Sequence, residues 1–73
     1  MKELDLHGTK HKDVPKKVDE YIWKEMEGGA QEARIVTGNS TMMKSIVKET
    51  LEDYDMKSKE SMLNTGVLIV SLK

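Results

Sequence analysis

Apolar and polar positions along the chain switch between two periods. Leu4 and Leu6 alternate with Glu3, Asp5 and His7, and period two predicts a half-buried strand ending at Gly8. Val14, Val18, Tyr21, Ile22 and Met26 then recur at helical spacing. Asp13 is the expected N-cap of this helix. Pro15 falls in its first turn, where a missing N–H does no harm, and Gly28-Gly29 stops it. Trp23 lies beside the apolar stripe, so it is expected to be partly exposed, as a marginal packing residue in preference to a base-stacking one.

The second half repeats the alternation of periods. Glu32 to Thr37 reads as a short strand, Gly38-Asn39-Ser40-Thr41 as a turn, and Met43, Ile46, Val47, Thr50, Leu51 and Tyr54 as the inner face of a second helix. Met56 to Met62 alternates weakly with Lys57 and Lys59, which suits a guarded edge strand. Asn64-Thr65-Gly66 is a hairpin turn. Val67 to Leu72 is the most apolar run and is expected to be a well-buried strand. The order is β-α-β-α-β-β. Right-handed crossovers place both helices on one face. The expected fold is therefore α/β, a two-layer α+β sandwich with a four-stranded mixed sheet whose other face is open.

Length and composition narrow this further. The 73 residues read as a single domain over 1–73, a monomer by default. There is no cysteine and no Phe, so the core is aliphatic and no disulfide or thiolate metal site supports it. No apolar run approaches the length of a bilayer span, and the first residues show no hydrophobic signal region. A soluble, cytoplasmic protein with no membrane partner is expected. The net charge of -1 argues against strong indiscriminate attraction to phosphate backbones. Charge is nevertheless segregated. Residues 1–17 and 34–48 are net positive and residues 18–33 and 49–60 net negative, and the two positive blocks hold the unusual motifs.

Those motifs are Asp5-Leu6-His7-Gly8 and Thr37-Gly38-Asn39-Ser40. Strands joined by a helix run parallel, so their C-terminal ends share one edge of the sheet, the edge where open α/β sheets bind ligands. With Leu4 and Leu6 toward the helices, Asp5 and His7 face the other way, side by side. A carboxylate beside an imidazole can fix its tautomer and raise its basicity, readying it to take a proton from water or a ribose 2′-hydroxyl. A solvated, inert pair is the plainer alternative. Gly8 permits a tight exit or close backbone approach. After Gly38, Asn39, Ser40 or Thr41 can cap the second helix, whose N-terminus offers free N–H groups to a phosphate. Ordinary capping without a ligand is the alternative there. Lys44, one turn in, adds a contact. Lys10 and Lys12 flank the same edge, together with His11, Lys16 and Lys17.

Leu4-Asp5-Leu6-His7-Gly8 resembles the Leu-Asp-x-His-Gly signature of the Smr (small MutS-related) domain family. Thr37-Gly38 resembles the start of that family's Thr-Gly-x-Gly motif, and Gly66 to Lys73 its closing glycine-then-strand segment. The resemblance covers nearly the whole chain. It implies a β-α-β-α-β-β fold similar to the C-terminal domain of a bacterial translation initiation factor, and nucleic-acid binding, often with DNA-nicking or RNA-cleaving activity. By position, Asp5 and His7 would be the chemical residues, and Thr37 and Gly38 would help hold the substrate backbone. Two positions depart from the pattern. Ser40 stands where the family has its second glycine, and Thr65-Gly66 stands for a glycine pair.

The expected function is nucleic-acid binding with endonuclease activity on DNA or RNA. His7 would be general base or acid, and Asp5 would orient it or touch substrate. Gly8, Lys10, Lys12, Thr37, Gly38, Asn39, Ser40 and Lys44 would contact the nucleic acid. No cofactor and no metal is expected, since Asp5 is the only acid near this edge by sequence and two-metal sites need several. A binding module without catalysis, docking on nucleic acid or a ribonucleoprotein, is the alternative, favoured by Ser40. A protein-interaction domain, taking a partner chain on the open sheet face or the edge strand, is a third, and a plain salt bridge between Arg34 and Asp5 across the open face would favour the non-catalytic readings.

Overall fold

Parallel pairing of the first two strands decides where the functional edge lies. A computed structural model describes residues 3–72. Its elements are β1 (Leu4–Asp5), α1 (Val14–Glu27), β2 (Glu32–Val36), α2 (Thr41–Glu52), β3 (Ser58–Glu60) and β4 (Val67–Ser71). The sheet order is β1-β2-β4-β3. β1 runs parallel to β2, with Leu4 opposite Ile35 and Asp5 opposite Val36. β4 is antiparallel to both its neighbours, with Val36 opposite Val67 and Ser58 opposite Val70. This is the expected mixed four-stranded α+β fold.

Strand alternation sends Ala33, Ile35, Leu68 and Val70 into one cluster with Val14, Val18 and Ile22 of α1 and Met43, Val47 and Leu51 of α2. Leu6, Ile35, Leu51, Leu68 and four valines are fully buried, each contributing about 1.5–3 kcal/mol relative to exposure. The opposite face carries Arg34, Ile69 and Lys59 in one row and stays open. The most apolar segment becomes the central strand β4, as its composition predicts. The lysine-bearing segment becomes the outer edge, where charged side chains discourage pairing with another chain.

Four local expectations are corrected. Asp13 makes no side-chain cap. A 3₁₀ turn over His11–Asp13 precedes α1 and leaves Asp13 helical, so the Asp13 N–H is taken by the Lys10 carbonyl at 2.9 Å. Met26 and Tyr54, assigned to the inner faces, are 41% and 44% exposed, because Met26 sits in the last turn of α1 and Tyr54 beyond the end of α2. β3 is shorter than 56–62, so Met62 and Leu63 fall outside the sheet. The hairpin link is accordingly a longer loop whose backbone closes at Val67 N–H to Asn64 O, 3.1 Å. Trp23, at 57% exposed, matches expectation.

Candidate nucleic-acid interface

The C-terminal ends of β1 and β2 do meet. One residue past the ladder, the Leu6 N–H donates to the Val36 carbonyl at 3.0 Å, so His7 leaves β1 beside the point where Thr37 leaves β2. The Thr9 N–H then donates to the Leu6 carbonyl at 2.9 Å, closing a four-residue turn with Gly8 third at φ +80°. A turn with positive φ at that place is type II and favours glycine, which accounts for Gly8 without a ligand. Asp5 shapes the same turn. Its Oδ1 accepts the backbone N–H of His7 at 2.9 Å, an Asx-type bond to the residue two ahead. The carboxylate is thus bonded to the His7 amide, where the sequence reading placed it against the ring. The His7 imidazole is exposed and has no hydrogen-bond partner among the described residues.

The second motif is built around a residue the sequence reading left out of the site, Gly66. Its carbonyl accepts both the Thr37 N–H at 2.8 Å and the Gly38 N–H at 3.0 Å. The Thr37 hydroxyl, on a side chain only 5% exposed, can donate to Gly66 O at 3.2 Å or Gly38 O at 3.0 Å. A Cβ at Gly66 would lie 3.1 Å from the Gly38 Cα and 3.2 Å from its carbonyl carbon, closer than carbon atoms pack comfortably. Two glycine backbones therefore touch where β2 ends and β4 begins. The signal in the sequence was a glycine at each of two strand ends, but it needed the strand order to be read. Asn64 holds the approach, its Oδ1 accepting the Gly66 N–H at 2.9 Å.

Ser40 is the N-cap of α2. Its Oγ accepts the Met43 N–H at 3.1 Å, and its φ of −75° does not call for glycine. The hydroxyl proton and the first amides of α2, those of Thr41 and Met42, stay available at the positive end of the helix. Asn39 just before them is exposed, as are Lys10 and Lys12, which follow the His7 turn in the chain. Lys44 is placed differently from expectation. Its ammonium pairs with Glu60 on β3 at 3.5 Å, so a phosphate would have to draw it away. No ion pair within 4.0 Å joins Asp5 to Arg34 among the described residues, which removes the salt-bridge argument for the non-catalytic readings.

Surface depressions lie elsewhere, one on the open sheet face around Glu32, Lys57 and Ile69, another between α1 and α2 around Pro15, Ile46 and Tyr54, and a third beside Trp23, Met26 and Met56. Trp23 sits nine residues along α1 from Val14, about 13 Å of helix away from the rim, too far to stack a base there. An open rim of amides and lysines suits an extended polyanion better than a small molecule in a pocket. Among the described residues no cluster of three or more His, Asp or Glu is arranged to hold a metal ion, and no helix is long and apolar enough to cross a membrane. A family model described as the Smr domain matches residues 4–73. Neither a curated protein nor a solved structure matches the chain.

Proposed function

The chain belongs to the Smr domain family, which is known for nucleic-acid binding and nuclease activity, and from that premise we propose that its rim grips a nucleic-acid backbone and cleaves it as an endonuclease. The supporting observation is the parallel register that sets the His7 turn beside the Thr37-Gly38 loop and the open start of α2. In this reading a phosphate lies on the Thr41 and Met42 amides and the Ser40 hydroxyl, which stabilise charge developing on its oxygens. His7 takes the proton of the attacking 2′-hydroxyl or water as the new P–O bond forms. The imidazolium returns a proton to the leaving oxygen as the old bond breaks. Thr37 and Gly38 position the loop, and Lys10 and Lys12 extend the backbone contact. The proposed chemistry draws on no metal.

The test is a cleavage panel on single-stranded and duplex DNA and RNA, with and without chelator. His7→Ala is expected to abolish product while leaving binding within severalfold. Unchanged cleavage in His7→Ala overturns the assignment.

A second reading, binding without cleavage, is favoured by the Asp5 carboxylate being bonded to an amide and not to the imidazole. It predicts salt-dependent binding, no product from any substrate, and loss of binding on Lys10→Glu with Lys12→Glu.

A further inference from the structure

The loop between β3 and β4 presents two adjacent apolar side chains that the fold does not use. Met62 is 100% exposed and Leu63 98%. An isolated exposed leucine is ordinary, but this pair sits on a shaped loop. The Ser61 N–H donates to Val67 O at 2.9 Å, the Leu63 N–H to Ser61 Oγ at 3.3 Å, and Asn64 turns the chain back. The loop ends at Gly66, the residue whose carbonyl anchors Thr37 and Gly38. Leu63 therefore lies within about 11 Å of Gly66 even at full extension. On the other side of Gly38, Met42 is 59% exposed in the first turn of α2. Exposed apolar side chains thus stand on the loop that leads into Gly66 and on the first turn of α2.

Charge makes the same point from the other direction. Lys44 is paired with Glu60, so Lys10 and Lys12 are the cations this reading gives to the substrate backbone, and two phosphate contacts make a shallow salt slope; affinity beyond that draws on contacts that salt does not screen. We infer that Met62 and Leu63, with Met42, are base contacts, and that the substrate is a single-stranded or locally unpaired nucleic acid. This rests on the nucleic-acid reading above and narrows it. Thioether and isobutyl groups gain by covering the flat faces of bases. Those faces are hidden in a stacked duplex and open in a single strand.

The experiment measures binding of a fluorescein-labelled short single strand of mixed sequence, as RNA and as DNA, and of the matching duplexes, by anisotropy at several salt concentrations. Wild type is expected to bind a single strand about tenfold or more tightly than duplex. Met62→Ser with Leu63→Ser is expected to weaken single-strand binding about tenfold, the effect of removing roughly 55 Å² of apolar contact. The slope of log affinity against log salt stays unchanged, because no cation is lost. Lys10→Ala with Lys12→Ala shows the converse, a reduced slope. Leu63→Tyr binds at least as tightly as wild type, since an aromatic ring stacks better. A double serine variant within twofold of wild type, or a wild type that prefers duplex, overturns the inference and leaves the nucleic-acid reading standing. A wild type that binds none of the probes removes that reading, and this inference with it.

Discussion

Replacing Thr37 by Val separates holding the rim together from touching substrate. The two side chains are nearly the same shape, so the buried site is refilled and the change is confined to the hydroxyl. That hydroxyl has one proton and two acceptors in reach, Gly66 O at 3.2 Å and Gly38 O at 3.0 Å. Gly66 O keeps its two backbone donors at 2.8 and 3.0 Å in the variant, so no buried acceptor is stranded there. The loss is then that of one ordinary hydrogen bond, about 1 kcal/mol. For a domain of this size such a loss lowers Tm by roughly 4–8 °C. The assay is urea denaturation followed by Trp23 fluorescence, read alongside nucleic-acid affinity. The midpoint is expected to fall with m unchanged, and affinity to change less than about threefold, a coupling of under 1 kcal/mol. Full stability with affinity lost by tenfold or more would refute the reasoning, because the hydroxyl would then be bonded to substrate and not to Gly66.

The other predictions concern the same loops and one surface contact. Ser40→Ala removes the cap on Met43 N–H and is expected to cost about 1 kcal/mol by chemical denaturation, whereas Ser40→Gly costs only a few tenths; equal costs would mean the cap bond is not formed. Gly66→Ala forces a Cβ to 3.1 Å from Gly38, and backbone on both sides leaves little room to yield. It is expected to destabilise by about 1–3 kcal/mol and to disturb the Gly38 amide resonance, and a neutral effect would contradict the close approach. Tyr54 donates to the Asp19 carboxylate, and this bond, then burial and the Asp19 charge, raise the phenol above its usual range. A proton held more tightly in the folded state makes stability fall as pH rises through about 10. The fall should be shallower in Tyr54→Phe, as tested by urea midpoints from neutral to alkaline pH. Asp5→Asn keeps an oxygen for the His7 N–H and removes the charge. Stability and binding should hold, so any loss of cleavage reports the charge acting on the imidazole, and unchanged cleavage assigns Asp5 to the turn alone.

Element types and order were legible because aliphatic periodicity in a chain this small leaves few ways to bury Leu6, Ile35, Leu68 and Val70 together. The shared edge followed from a helical crossover alone. Less legible was whatever depended on where a polar atom's partner would be. Asp13 looks like a cap, but the 3₁₀ turn holds its backbone in helical conformation, and its carboxylate makes no cap bond. Lys44 looks like a phosphate ligand until β3 brings Glu60 alongside. Met26 and Tyr54 keep helical phase yet lie where the helices end, so phase did not mean burial. Gly66 escaped notice as a site residue because its neighbour Gly38 lies 28 positions away in sequence, and only the pairing of β2 with β4 joins them.

A common thread runs through the two motifs. Asp5 holds the His7 amide, Thr37 holds Gly66 or Gly38, Ser40 caps Met43, and Gly8 supplies a turn. These groups have structural partners already, so their presence in the signature follows from the shape of the rim even if none meets a ligand. The groups with no partner in the fold are of another kind: the His7 ring, the first amides of α2, Lys10 and Lys12, and the Met62-Leu63 pair. An exposed imidazole, free donors at a helix start, lysines and bare apolar tips contribute nothing to folding where they stand. The phenotypes should divide along the same line. Substitutions in the first set should register in denaturation before they register in binding. Those in the second should leave the denaturation curve where it was and alter only what happens to a nucleic-acid strand.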